Sequence, residues 1–169
     1  MSSCDIMLFA MRTLLRTGVC LLTFLAVSAS AQTLTDKKGI PLETAKKMAD
    51  AAEKFATQNN WKVVVTILDE GGNLVLLQRM DDSPMGSIGV AQEKALSSVK
   101  FKAPTKNFED GLAKGGQNLL RLGVMPFEGG LPIMVGGKMI GAVGVSGATA
   151  AQDGQVAKAA IDWLTANLK

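Results

Sequence analysis

Two apolar runs, each doubling back at a pair of glycines, constrain this chain more than any other feature. Val63-Val64-Val65-Thr66-Ile67-Leu68 is β-branched and nearly continuous, Asp69-Glu70-Gly71-Gly72 turns the chain, and Asn73 to Arg79 returns. Leu131 to Val135 runs into the turn Gly136-Gly137 and comes back as Lys138 to Ser146. Branched side chains fit the pleated, buried surface of a strand, and short glycine-bearing turns close antiparallel hairpins. Gly141, Gly144 and Gly147 weaken the second return strand but permit a helix or a ligand to approach its backbone closely.

The flanking segments carry helical spacing instead. Pro41 opens the first helix, where its missing N–H is harmless, and Leu42, Ala45, Met48, Ala49, Ala52, Phe55 and Ala56 then line one face. Asn59-Asn60 ends it. The loop from Met80 to Gly86 leads to Ser87, read as an N-cap, and to a helix with Ile88, Ala91, Ala95 and Val99 on one side. Pro104 stops that helix, and Thr105 caps a shorter one through Ala113. Gly115-Gly116 and Gly129-Gly130 bracket an irregular stretch. The last helix begins at Thr149 with Gln152 in capping-box position and a stripe of Val156, Ala159, Ala160, Trp163, Leu164 and Leu168. No repeat or linker interrupts the pattern. It predicts one α/β domain whose two hairpins form an antiparallel sheet flanked by helices.

Residues 1–31 read as a secretory signal rather than as part of that domain. Arg12 and Arg16 form a basic region, Val19 to Val27 a short apolar run, and Ala29-Ser30-Ala31 a small-residue cleavage site before Gln32. Met11 directly precedes the basic region and is an alternative start to Met1. The apolar run is shorter than the roughly 20 residues of a membrane span, so no stable membrane insertion is expected after cleavage. Removing 31 of the 169 residues leaves 138, enough to bury roughly two-thirds of the unfolded surface. Cys4 and Cys20 leave with the leader, so an exported protein with no thiol is expected in the periplasm or outside the cell. Its redox chemistry would have to come from a bound cofactor.

The chain has no His and no Tyr. That excludes Ser-His-Asp and Cys-His catalysis, His-ligated zinc and a proximal-His haem. A formal charge of +3, with no basic cluster beyond Lys37-Lys38 and Lys46-Lys47, argues against nucleic acid. No nucleotide cradle is spelled out by Gly141-Ala-Val-Gly144-Val-Ser-Gly147, because it is not G-x-G-x-x-G. The N–H groups that follow, at residues 149–152, could still hold one anion at a helix start. Asp69-Glu70, Asp81-Asp82 and Glu109-Asp110 read as solvated pairs. Met80, Met85, Met125, Met134 and Met139 are thioethers that fill cores far more often than they bind metals. Arg79, beside Asp81 and Asp82, serves either a salt bridge to one of them or a ligand carboxylate. No base, nucleophile or metal triad is visible.

Several strings, in order, nevertheless resemble the GlcG/HbpS haem-binding family and the C-terminal domain of PduO-type proteins. They are Leu68-Asp69-Glu70-Gly71-Gly72-Asn73-Leu74, Gln78-Arg79-Met80-Asp81-Asp82, Lys94-Ala95, Ala103-Pro104-Thr105 and Pro126-Phe127-Glu128-Gly129-Gly130-Leu131-Pro132-Ile133. Gly141 to Ala148 and Gln152-Asp153 continue the match, which spans about Leu34 to Leu168.

The resemblance implies a profilin-like layering around the sheet and assembly into homo-oligomers, often octamers. It also implies a haem cofactor and a role in haem capture or redox sensing. Haem degradation, as a family label, would rest on the cofactor. Thr105 is the counterpart of a threonine that ligates haem iron in a secreted member, although the same residue reads equally as a helix cap. Some relatives use a histidine near the domain start, which this chain lacks. Arg79, Lys94 and Lys102 are the cations for propionates, Met80 adjoins Arg79, and Phe101 and Phe127 are apolar walls. The alternatives are a binder of a small organic acid such as glycolate, held by Arg79 and the N–H groups after Gly147, and an oligomeric scaffold without a ligand.

Overall fold

In the computed structural model, which describes residues 37–168, helix α1 (Leu42–Gln58) starts directly after Pro41 and lays Ala45, Met48, Ala49, Ala52 and Ala56 into the core. Asn60, in a left-handed conformation, ends it, and Trp61 donates back to Ala56 O. Strands β1 (Val64–Asp69) and β2 (Leu74–Arg79) form the first hairpin. Its turn is held by the Asp69 carboxylate, which accepts from Gly71 N, Asn73 N and Asn73 Nδ2, while Gly72 takes φ 81°. These donors hold Asp69 below the ordinary carboxylate value, with the Asn73 side chain contributing most. Helix α2 (Ser87–Phe101), helix α3 (Lys106–Ala113) and a 3₁₀ turn (Gln117–Leu122) follow. Strands β3 (Gly130–Val135) and β4 (Lys138–Ser146) form the second hairpin, and α4 (Ala150–Asn167) closes the fold.

The hairpins join through β1 and β4, giving one antiparallel sheet in the order β2-β1-β4-β3, with Val64 opposite Ser146 and Asp69 opposite Gly141. Alternate residues then face opposite layers. Val65, Ile67, Val143 and Val145 pack with Ala49 and Ala52 of α1 and with Val156, Ala160 and Leu164 of α4. Burying each such valine or isoleucine is worth roughly 1.5–3 kcal/mol. On the opposite face, Leu68 and Ala142 pack with Ala95 and Val99 of α2. Helix α2 lies very close to the sheet because Gly144 has no side chain. A Cβ there would stand 2.6 Å from Ala95 N and closer still to Ala91 O.

Three local expectations are corrected. Ser87 is the first residue inside α2 and not its cap; the N-cap position is Gly86, without a side-chain bond, and Ser87 N donates to Pro84 O. Thr105 precedes α3 but makes no capping bond, because its hydroxyl is turned toward β3. Leu168 is exposed and lies outside the buried stripe of α4. At the other end of α4 the capping box is present, with Gln152 N donating to Thr149 Oγ1 and Thr149 N to Gln152 Oε1. The leader read over residues 1–31 lies outside the described residues.

Candidate functional site

Helix α2 carries the most charged buried group of the fold. Lys94 and Asp153 are each 2% exposed, and their Nζ and Oδ2 are 2.7 Å apart. Lys94 Nζ also donates to Val145 O at 3.0 Å, and Asp153 Oδ1 accepts from Ala148 N at 3.0 Å. Burial pushes the Asp153 carboxyl above its ordinary value, opposed by the Lys94 ammonium and the Ala148 N–H. Gly129, at φ 127°, makes room for the pair, since a Cβ there would lie 2.8 Å from Lys94 Nζ. One expectation changes as a result. Lys94 is not a free cation for a propionate, because its ammonium is enclosed and ion-paired. At the start of α4, Asp153, Gln152 and Thr149 accept from the N–H groups of Ala148, Thr149 and Gln152.

Segment 125–130 is fixed onto the helices one bond at a time. Met125 N donates to Ser97 Oγ, Glu128 N to Glu109 Oε2, and Gly130 N to Thr105 Oγ1 at 2.9 Å. Thr105 N donates to Gly130 O, and its hydroxyl lies 3.4 Å from the same carbonyl. Thr105 is therefore fully buried and engaged as a clamp between α3 and β3. The hydroxyl expected at the iron thus faces Gly130 and not solvent in this structure. Met80 is likewise a core residue, packed in the cluster shared by α1 and α4, and does not stand beside an open site. Arg79 is exposed and donates to Ser83 O and Oγ, with no carboxylate within 4 Å among the described residues.

What remains open is the C-terminal end of α2. Phe101 is 39% exposed and stacks edge-on against Phe108 at 5.3 Å, and Phe127, on the fixed segment, is 51% exposed. The next residue, Lys102, ends α2 in a left-handed conformation and borders a cleft of about 480 Å³. Lys37, Glu70, Met134, Gly137, Lys138 and Met139 complete its lining. No group of His, Cys, Asp and Glu able to hold a metal ion occurs among the described residues, and no described helix is long and apolar enough to cross a membrane. The sequence reading missed Asp153 and Lys138. A carboxylate in a first helical turn normally serves the helix dipole in solvent, so nothing local distinguishes one that is buried.

This arrangement matches known proteins over nearly all of the described residues. A family model described as "Haem degrading protein HbpS-like" aligns with residues 40–162. The chain belongs to the HbpS-like family. An uncharacterized 15.0 kDa protein of Citrobacter freundii is 40% identical over 128 residues, covering 73% of this chain and 90% of the relative. A crystal structure of a Streptomyces reticuli HbpS double mutant superposes with a TM-score of 0.72 at 31% identity, covering 82% of this chain and 95% of that one. A structure described as a PduOC:heme complex superposes with a TM-score of 0.68 at 29% identity, covering 74% and 94%. The α/β fold of this HbpS-like chain, with helices on both faces of a four-stranded antiparallel sheet, is the fold of these neighbours.

Proposed function

We propose that this chain is an exported haem-binding protein that takes the macrocycle against the surface at the C-terminal end of α2. The observation that carries the reading is the similarity to a protein solved with heme, joined to two exposed phenylalanines, Phe101 at the end of α2 and Phe127 on the segment that the Thr105–Gly130 bonds tie to α3. Haem is an apolar disc with two carboxylates and an iron, and the residues present fit these parts unequally. Phe101 and Phe127 suit the disc, as apolar and aromatic walls do in ligand sites. For the iron, the chain offers no imidazole or phenolate, and its two thiols lie in the leader at Cys4 and Cys20. Bound haem would supply redox chemistry at its iron; the chain's own residues bind and orient the disc. The weak donor set favours capture or redox sensing over a tightly ligated electron carrier.

The leader supports a location in the periplasm or outside the cell. Exposed Leu120 and Leu122, with the same phenylalanines, support burial in a homo-oligomer, and the octamer is the size that the family resemblance implies. Haemin titrated into residues 32–169 and followed in the visible spectrum tests the function. A saturable Soret shift at one haem per chain or per dimer is expected, and a shift that rises without saturating would overturn the reading. Light scattering of the same sample tests the assembly, with a single monomeric mass as the contrary result.

A further inference from the structure

The cleft beside Lys102 has a charge imbalance that the fold does not resolve. Three lysines line it, Lys37, Lys102 and Lys138, against one carboxylate, Glu70. Lys37 lies 3.7 Å from Glu70, whereas neither Lys102 nor Lys138 has a carboxylate within 4 Å among the described residues. Their placement is dictated by backbone. Lys102 occupies a C-cap at φ 51°, a conformation usually given to glycine or asparagine. Lys138 directly follows Gly136 and Gly137, both at positive φ, and opens β4. Met134 and Met139, paired across β3 and β4, add apolar lining. A volume of about 480 Å³ lies within the range of small-molecule sites.

We propose that this cleft binds paired carboxylates on an apolar body, with Lys102 and Lys138 as the two cationic contacts and the methionines as apolar lining. Two sources share that chemistry: the propionates of a haem whose disc rests on Phe101, and a free dicarboxylic acid. The haem source rests on the proposed function; the cleft itself does not. Ammonium–carboxylate bonds are about twice as strong as neutral ones, and at the surface they weaken with salt.

The test compares the chain of residues 32–169 with Lys102→Asn/Lys138→Gln. Asparagine tolerates the left-handed cap, both positions are exposed, and circular dichroism confirms that the variant folds. Three probes are used: haemin, haemin dimethyl ester and succinate. If propionates enter the cleft, the variant binds haemin at least about tenfold more weakly and binds the ester as the parent does. If a free diacid enters, succinate raises the parent's melting temperature and leaves the variant's unchanged. Equal haemin binding in both proteins with no succinate effect overturns the cleft and leaves the haem reading standing. Failure of haemin to bind the parent overturns the haem reading, and the succinate arm then decides the cleft alone.

Discussion

Replacing Lys94 by methionine removes an ammonium of nearly matching length and leaves the Asp153 carboxylate buried with Ala148 N as its remaining partner. Breaking a buried ion pair from one side costs about 3–5 kcal/mol. Against a total stability of roughly 5–15 kcal/mol for a domain, that is a large share, and urea denaturation at pH 7 should show it as a lower midpoint at unchanged slope. The loss should also depend on pH. Burial already raises Asp153 above 3.8 in the folded chain, so the folded state holds that proton more tightly than the unfolded one. The group's contribution to stability therefore falls as pH climbs from 3.8 through the raised folded value, and is flat above it. Without Lys94 the folded value moves higher, the window widens, and acid should recover part of the loss at up to about 1.4 kcal/mol per pH unit. Adding Asp153→Asn keeps an acceptor for Ala148 N and removes the charge, so Lys94→Met/Asp153→Asn should regain most of the stability and lose the pH dependence. A Lys94→Met loss below about 1 kcal/mol, or one that is the same at pH 5 and pH 7, would mean that Asp153 is not held as a buried, ion-paired carboxylate.

Thr105→Val keeps the side-chain shape but orphans Gly130 N–H. It should cost about 1–3 kcal/mol by urea denaturation, while the haemin spectrum per folded chain stays unchanged; a lost Soret band with unaltered stability would restore the ligand role. Gly144→Ala should destabilise by at least the roughly 1–3 kcal/mol of an overpacked core, because the added Cβ meets the α2 backbone at Ala91 O and Ala95 N. A melting temperature equal to the parent's would contradict that packing. Asn73→Ala should move the Asp69 carboxyl up toward 3.8, as seen by carbon NMR titration. Asp69 contributes stability above 3.8 that is lost as pH falls through its lowered folded value, so the variant should lose less on acidification. Identical acid profiles would contradict this.

Local chemistry made the elements readable. The β-branched run 63–68, the Gly-Gly turns and the Thr149–Gln152 capping box act within a few residues of chain, and each lies where the spacing expects within a residue. Gly144 was also readable as a point of close approach, by a helix or a ligand, and it is helix α2 that comes there. The site was not. Lys94 and Asp153 stand 59 residues apart in the chain, and each alone resembles a solvated charge on a helix. Helix α2 buries Ser97, Ser98 and Lys94 along with its alanines, so its inner face does not read as apolar. Thr105 after Pro104 has the local form of a cap, and only the return of β3 gives its hydroxyl a better partner in Gly130. Lys102 and Lys138 line one cleft because β3 and β4 turn beside the end of α2, a tertiary placement that neither position shows locally.

The central claim, haem at the C-terminal end of α2, is tested most directly by a methyl spectrum of the 13C-methionine-labelled chain with and without ferric haem, whose unpaired electrons erase nearby signals. The methyls of Met134 and Met139, which line the cleft with Lys102, should disappear at one equivalent, whereas Met48 and Met80, buried in the core shared by α1 and α4, stay sharp. In the chain of residues 32–169, which holds six of the nine methionines, six unchanged signals or uniform broadening of all six would contradict it.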